Sequence, residues 1–298
     1  MVEPALSIVV PTRDRPQLLA GAVRSALAQT HADVEVIVVD DASAQPVALP
    51  DDPRLKVVRH PEARGGAAAR NTGTAAARSP YVTYLDDDDT LLPEHAAVAL
   101  EALTGADALP APVAVLTGVA VVDAAGRVLE TRLPPTLPRG SHFALEAAQP
   151  GCSFHVKQTL AAPRAVLLAA GGWDEAFRSR VHTELFLRLN AICSLRGLPQ
   201  VTYRLLVHDG PRVSGSAELR RTSFRQLRAK HAALFASHPR GAADMLVAHA
   251  RTSRLLGLPG EAAWAWRQAL RADLVRGGRA LAASTGAEAV RLTGRRRS

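Results

Sequence analysis

The sequence predicts an α/β domain with a mostly parallel sheet covered on both faces, followed by a helical C-terminal extension. Three observations carry this expectation. Short apolar runs alternate with segments of helical period through residues 1–104. Polar clusters stand directly after the apolar runs. From residue 216 onward the pattern is helical to the end.

Taken in order, Leu6 to Val10 is a short apolar strand, and Pro16 to Gln29 repeats Leu18, Leu19, Ala22, Val23, Ala26 and Leu27 at helical spacing, with Pro16 suited to a first turn. Val34 to Val39 and Arg54 to Arg59 read as strands, Ala67 to Ala77 as a helix, Tyr81 to Leu85 as a strand and Pro93 to Leu103 as a helix. Val113 to Val122 and Arg127 to Thr131 flank Asp123-Ala-Ala-Gly126 and form a hairpin. Leu133 to Gly140 is a Pro-rich loop. Ala165 to Ala170 is a short helix stopped by Gly171-Gly172, Thr183 to Leu195 a longer one, and Val201 to Val207 a strand. Met245 to Leu256 and Glu261 to Leu270, joined by Gly-Leu-Pro-Gly, read as an antiparallel helix pair. The domain division expected is 1–215, with halves of about 1–104 and 105–215, and then 216–298.

The chain has 298 residues, 47% hydrophobic and 21% charged, which is enough to bury a sizeable core. Its two cysteines, Cys152 and Cys193, make neither a disulfide framework nor a metal cluster. The N-terminal stretch has neither the basic start nor the cleavage site of a signal peptide, and no run reaches the ~18 apolar residues of a membrane span. The expected location is cytoplasmic. The net charge of +8 is uneven: residues 1–218 hold 20 basic and 24 acidic residues, whereas 219–298 hold 16 basic and 4 acidic. The positive excess therefore belongs to the tail.

Ligands of such sheets bind beyond the carboxyl ends of the strands. Three polar clusters are delivered to that rim: Thr12-Arg13-Asp14, Asp40-Asp41 and Asp86 to Asp89. The aspartate run is the central feature. Four adjacent carboxylates repel one another unless they point apart into water or a cation neutralises them. A solvated acidic loop ahead of the helix at Pro93 is the plain alternative. The run follows a strand expected to be buried, however, and that setting favours a hard divalent cation, Mn2+ or Mg2+, shared with ligand phosphates.

The run LSIVVPTRDRPQLLAGAVRSALAQT, then EVIVVDDAS, then GGAAARNTGTAAARSPYVTYLDDDDTLLP resembles family 2 glycosyltransferases of the GT-A fold. The likeness is close over residues 5–104 and looser through GGWDEAF, ELFLRL and YRLLVHDGPRVS. It implies an inverting transfer from a nucleoside-diphosphate sugar, with a UDP- or dTDP-sugar favoured, to an acceptor hydroxyl. Pro11, Thr12, Arg13 and Asp14 match the segment bordering the nucleotide, and Asp41 the residue that bonds the base. Arg70 lies on the diphosphate side, and Asp86 and Asp87 belong to the donor-binding run. Asp88 with Asp86 matches the metal-binding pair, and His208 a histidine that approaches the metal. Away from the resemblance, Asp40 or Asp41 reads as a turn cap, Arg70 as a surface ion pair and His208 as a structural histidine.

The chain departs from the family twice. Arg13 stands where an aromatic is usual; its planar guanidinium also stacks on a base. Val181-His182 stands where an acidic pair, including the expected catalytic base, is usual. His182 is the preferred base, since imidazole titrates near neutral pH. Glu184 is the second candidate, although two helical steps turn it ~200° from His182. Loss of acceptor activation, leaving a donor-binding or scaffold protein, is the third reading. Trp173 reads equally as a sugar-stacking platform and as a packed loop aromatic.

Arg220, Arg221, Arg225, Arg228 and Lys230 fall on one helix of the tail, and Arg295 to Arg297 close the chain. Without recognition motifs or interleaved aromatics, nucleic acid is not an expected partner. Peripheral contact with anionic lipid at the cytoplasmic face stands beside a solvated or packed helical face, which includes a homo-oligomer contact. Expected partners are a nucleotide-sugar donor and a saccharide, lipid-linked or small-molecule acceptor. A nucleotidyltransferase is disfavoured by Pro-Thr-Arg-Asp at the first turn, where a glycine-rich phosphate loop would stand, and a dehydrogenase by the missing GxGxxG there.

Overall fold

The computed structural model describes residues 4–105, 108–141, 151–153, 155–207 and 216–283, which fall into two compact units, one within 4–207 and one within 216–283. The first unit opens with β1 (Leu6–Thr12), α1 (Pro16–Leu27), β2 (Val34–Asp40), β3 (Leu55–Arg59), α2 (Gly66–Ala76) and β4 (Tyr81–Tyr84). It continues through β5 (Thr90–Leu91), α3 (His95–Thr104), β6 (Val113–Val122), β7 (Val128–Arg132), β8 (Ala161–Pro163), α4 (Arg164–Ala169), α5 (Val181–Ile192) and β9 (Ser194–Leu206).

One sheet runs β3-β2-β1-β4-β8-β6-β9-β5, with β7 paired to β6. The first four strands are mutually parallel, as the alternating pattern predicts. β1 and β2 are buried at every position, so they read as largely apolar runs without alternation, and the buried Ser7 and Glu35 within them hydrogen-bond each other. Strand β8 is antiparallel to both β4 and β6, and β6 runs parallel to β9. The hairpin β6–β7 forms at the expected place.

Three differences from the sequence expectation have a common cause. β5 and β8 are two and three residues long, too short to show a period, and they exist because long-range partners complete their hydrogen bonds. The helix expected to reach Leu195 stops at Ile192, because Ser194 and Leu195 enter the ladder with β6. β9 therefore begins seven residues before the expected Val201. Tertiary pairing outweighs helical period here.

Helix α2 lies against β1, and Gly73 marks the contact: a Cβ there would collide with the Val9 side chain. The close approach brings Arg70, one turn earlier, toward the end of β4.

The second unit holds α6 (Ala217–Lys230), α7 (Ala232–Ser237), α8 (Pro239–Leu255) and α9 (Pro259–Ala272). The expected antiparallel pair is α8 and α9, joined at Gly257, whose φ of +72° suits a glycine. Ser216 caps α6 by accepting from the Leu219 amide. Two of the basic residues of α6 are used inside the unit. Arg225 pairs with buried Glu261 and lies 4.6 Å over Trp264, while Arg228 lies 5.7 Å over the same ring and bonds Gln268. Buried His249 stacks on Phe224 at 3.8 Å and reaches Glu261 at 3.0 Å. No helix among the described residues is long and apolar enough to cross a membrane.

Candidate functional site

Because β1 pairs with both β2 and β4, their carboxyl ends lie side by side; Thr12 is in register with Asp40, and Val9 with Tyr84. The three polar clusters therefore share one rim, and hydrogen bonds join them. Thr12 Oγ1 donates to Asp87 Oδ2 at 2.7 Å, which links the first cluster to the third. The Asp14 amide donates to Ser43 Oγ, and the Ala44 amide to Asp14 Oδ1, which links the first to the second. Asp14 holds φ +55°, a left-handed conformation that aspartate tolerates better than most residues. Arg13 is exposed and pairs with Asp14 at 3.5 Å, whereas Pro11 is buried inside β1.

The two aspartates after β2 part company. Asp40 is fully buried, accepts from the Ser43 amide and pairs with Arg59, so it closes the turn. Asp41 Oδ1 receives His60 Nδ1 and the Arg64 amide, both at 2.8 Å, and Oδ2 receives the Gly65 amide at 2.7 Å. Burial works against ionisation of Asp41, yet those amides and His60 hold its carboxyl below the ordinary range.

The aspartate run also divides. Asp87 turns back toward the first turn, where Arg15 Nη1 lies 3.1 Å from it and 3.1 Å from Asp88. Asp86, Asp88 and Asp89 can each bring one carboxylate oxygen to within 4.8 Å of the others. Asp86 accepts a short hydrogen bond from Arg70 Nη2; burial opposes its ionisation, but Arg70 holds it below the usual range. Asp89 is buried and receives the Tyr203 hydroxyl at 2.8 Å and the Leu206 amide at 3.0 Å. Burial, with the charges of Asp86 and Asp88 added, pushes Asp89 well above the usual carboxylate range. Three hard oxygen donors this close together fit a divalent cation such as Mn2+ or Mg2+. Asp86 and Asp88 are the expected pair; Asp89 joins them. His208 lies outside the described residues.

The loop before α5 closes on the same region. Asn71 Nδ2 donates to the Trp173 carbonyl at 2.8 Å, and Asn71 Oδ1 accepts from the Trp173 amide at 2.7 Å. Gly172, at φ +65°, passes so near Asn71 that a Cβ would overlap its side chain. Trp173 is 2% exposed and meets Tyr84 and His182 edge-on, each at 5.0 Å. It packs the loop, and Arg70 lies 5.1 Å over its ring. His182 thus stands beside Trp173 and within the field of Arg70 and Asp86. Burial first, and Arg70 next, push its pKa down to about 3, leaving the imidazole neutral near pH 7. Glu184 is placed elsewhere. It is completely buried and bonds Arg188 through both oxygens, while Arg188 donates to the carbonyls of Ala170 and Gly172. Its carboxylate anchors the loop.

Sequence reasoning passed over Arg15, His60 and Asp89. The rule that polar groups at strand ends form the site could have found His60, which directly follows β3, and Asp89 belongs to the run itself. Arg15 carried no signal of its own.

The model of glycosyl transferase family 2 matches residues 7–128. The succinoglycan biosynthesis protein ExoO of Rhizobium meliloti is 38% identical over 148 residues, covering 48% of this chain and 41% of that protein. The putative colanic acid biosynthesis glycosyl transferase WcaA of Escherichia coli is 36% identical over 103 residues, 33% of this chain and 37% of that protein. The chain thus matches less than half the length of these relatives. Among solved structures, S. aureus TarS 1–349 in complex with UDP-GlcNAc superposes with a TM-score of 0.56 over 95% of this chain and 92% of that one, at 15% identity, a likeness of fold. Residues 7–128, which carry the first strands of the sheet and the aspartate run at its rim, match the model of glycosyl transferase family 2.

Proposed function

We propose that this chain is an inverting glycosyltransferase that moves a sugar from a UDP- or dTDP-sugar to an acceptor hydroxyl, in the biosynthesis of a polysaccharide or glycoconjugate. The observation that carries the reading is the convergence of Asp86, Asp88 and Asp89 at the carboxyl end of β4, with Arg70 on one side and the turn after β1 on the other. The UDP-GlcNAc bound in TarS and the polysaccharide pathways named for ExoO and WcaA support the same reading.

In this proposal Pro11, Thr12, Arg13, Asp14 and Asp41 border the nucleotide, and Arg70 faces the diphosphate with Asp86 and Asp87. Asp88, Asp86 and Asp89 would hold Mn2+ or Mg2+, which would supply positive charge against the diphosphate as it leaves. His208 joins that set from sequence alone. His182, neutral near pH 7, takes the proton of the acceptor hydroxyl, with Asp86 as the neighbouring charge that raises its proton affinity. Attack from the face opposite the leaving group inverts the anomeric carbon. Glu184 is set aside, because Arg188 already occupies its carboxylate.

The competing reading is a donor-binding scaffold without turnover, prompted by Val181-His182 where an acidic pair is usual. The two readings separate on one experiment. The purified protein with UDP- or dTDP-sugar, Mn2+ and a saccharide acceptor releases nucleoside diphosphate if it is an enzyme. His182→Ala then abolishes release while UDP affinity stays within about two-fold of wild type. Binding of UDP without release from any donor would establish the scaffold. A lipid-linked acceptor would bring the basic C-terminal segment to the cytoplasmic face of a membrane, and co-sedimentation with anionic vesicles tests that contact.

A further inference from the structure

Arg15 stands where two parts of the rim meet. One nitrogen, Nη1, lies 3.1 Å from Asp87 Oδ1 and 3.1 Å from Asp88 Oδ2, and the side chain is 31% exposed. Asp87 has a second holder, since Thr12 Oγ1 donates to its other oxygen at 2.7 Å. Asp88 is a member of the three-carboxylate group that fits a cation. Around the run, Asp86, Asp87 and Asp88 meet the guanidiniums of Arg15 and Arg70. A cation that takes Asp88 weakens the hold of Arg15 on that side, while Thr12 keeps Asp87 in place. Arg15, less tightly held on that side, stands at the rim beside the position the donor reading gives the diphosphate.

We infer that Arg15 is a positioning residue with two successive partners: it holds Asp88 in the ligand-free chain and passes to the donor diphosphate once a divalent cation occupies the run. Guanidinium pairs with phosphate oxygens in a forked geometry at least as well as with carboxylates, so the exchange replaces one charge-assisted contact by another. The inference rests on the donor reading above and names a residue which that reading did not use.

The test measures two equilibria on wild type, Arg15→Gln and Arg15→Lys. Mn2+ alone is followed by the loss of free-ion paramagnetic resonance signal. UDP in the presence of saturating Mn2+ is followed by calorimetry. Thermal melts confirm that each variant is folded. The expected result is a pair of opposite changes in Arg15→Gln: Mn2+ alone binds tighter by about five-fold, because a competing positive charge is gone. UDP with Mn2+ binds about ten-fold weaker, because a charged phosphate contact is lost. Arg15→Lys restores UDP binding to within about three-fold of wild type, as a point charge can also serve a phosphate. A purely structural role weakens both equilibria together, and that outcome overturns the inference, as does a variant unchanged in both. Wild type that takes up Mn2+ but neither UDP nor dTDP removes the donor reading itself, and the exchange falls with it.

Discussion

His60 Nδ1 stands 2.8 Å from Asp41 Oδ1, and Nε2 of the same ring stands 2.8 Å from Thr72 Oγ1. With its Nδ1 proton given to the carboxylate, the ring accepts from the Thr72 hydroxyl through Nε2. A strand end and a helix thus grip one aspartate through a single imidazole. His60→Ala removes that grip and leaves a buried carboxylate with two amides. The expected cost is about 1–3 kcal/mol of stability and roughly a ten-fold loss of UDP affinity. His60→Asn keeps a donor near the Nδ1 position and recovers part of both. Denaturant unfolding and calorimetry read the two effects; a lost stability with an unchanged affinity would confine the pair to folding.

The two base candidates predict opposite phenotypes. His182→Ala abolishes nucleoside diphosphate release and leaves the melting temperature within about 3 °C of wild type, since the ring only edges Trp173. Glu184→Ala leaves Arg188 charged and half-bonded beneath the 170–172 loop and costs about 3–5 kcal/mol. Melting curves and a release assay on both variants decide. A stable Glu184→Ala protein with no turnover would return Glu184 to the chemistry.

Gly73→Ala drives a methyl into Val9 of the buried β1, so α2 must shift or β1 must distort. The expected loss is about 1–3 kcal/mol by denaturant unfolding. Because Arg70 rides on the same helix, Mn2+ and UDP affinity fall with it. Retained affinity at reduced stability would show that α2 tilts without carrying Arg70 off Asp86.

His95 is fully buried, 2.8 Å from Thr202 Oγ1 and 3.3 Å from Thr83 Oγ1. Burial pushes its pKa from 6.5 down to about 4. The unfolded chain therefore takes the proton first as pH falls. Its contribution to stability is complete above about pH 6.5, declines toward pH 4 and levels below that. The slope is up to about 1.4 kcal/mol per pH unit for one proton. In His95→Gln that part of the acid dependence vanishes. Denaturant midpoints measured across that window, equal in slope for both proteins, would assign the proton elsewhere.

Much of the frame was legible in the chain. β1, α1, β2, β3, α2 and β4 fall within two residues of the positions their apolar periods indicate, and the aspartate run follows a strand as expected. Local periodicity carries that information, because a buried parallel strand and an amphipathic helix each need their apolar residues at fixed intervals. The three clusters were placed on one rim by the same rule, and the register of β1 with β2 and β4 brings them there.

Composition and order of residues were thus enough to determine the parallel half of the sheet, the helical tail and the site of greatest negative charge. Only the tertiary structure decided which way each charge points. Asp87 turns to Thr12 and Arg15, Asp89 to Tyr203, Asp41 to His60 and Glu184 to Arg188. β5 and β8 likewise form only against distant strands. The physical reason is the same in each case. A buried charge or an unpaired backbone group must find a partner, and apart from Glu184 and Arg188, four residues apart on one helix, the partners of these groups stand far along the chain, where no spacing in the sequence announces them.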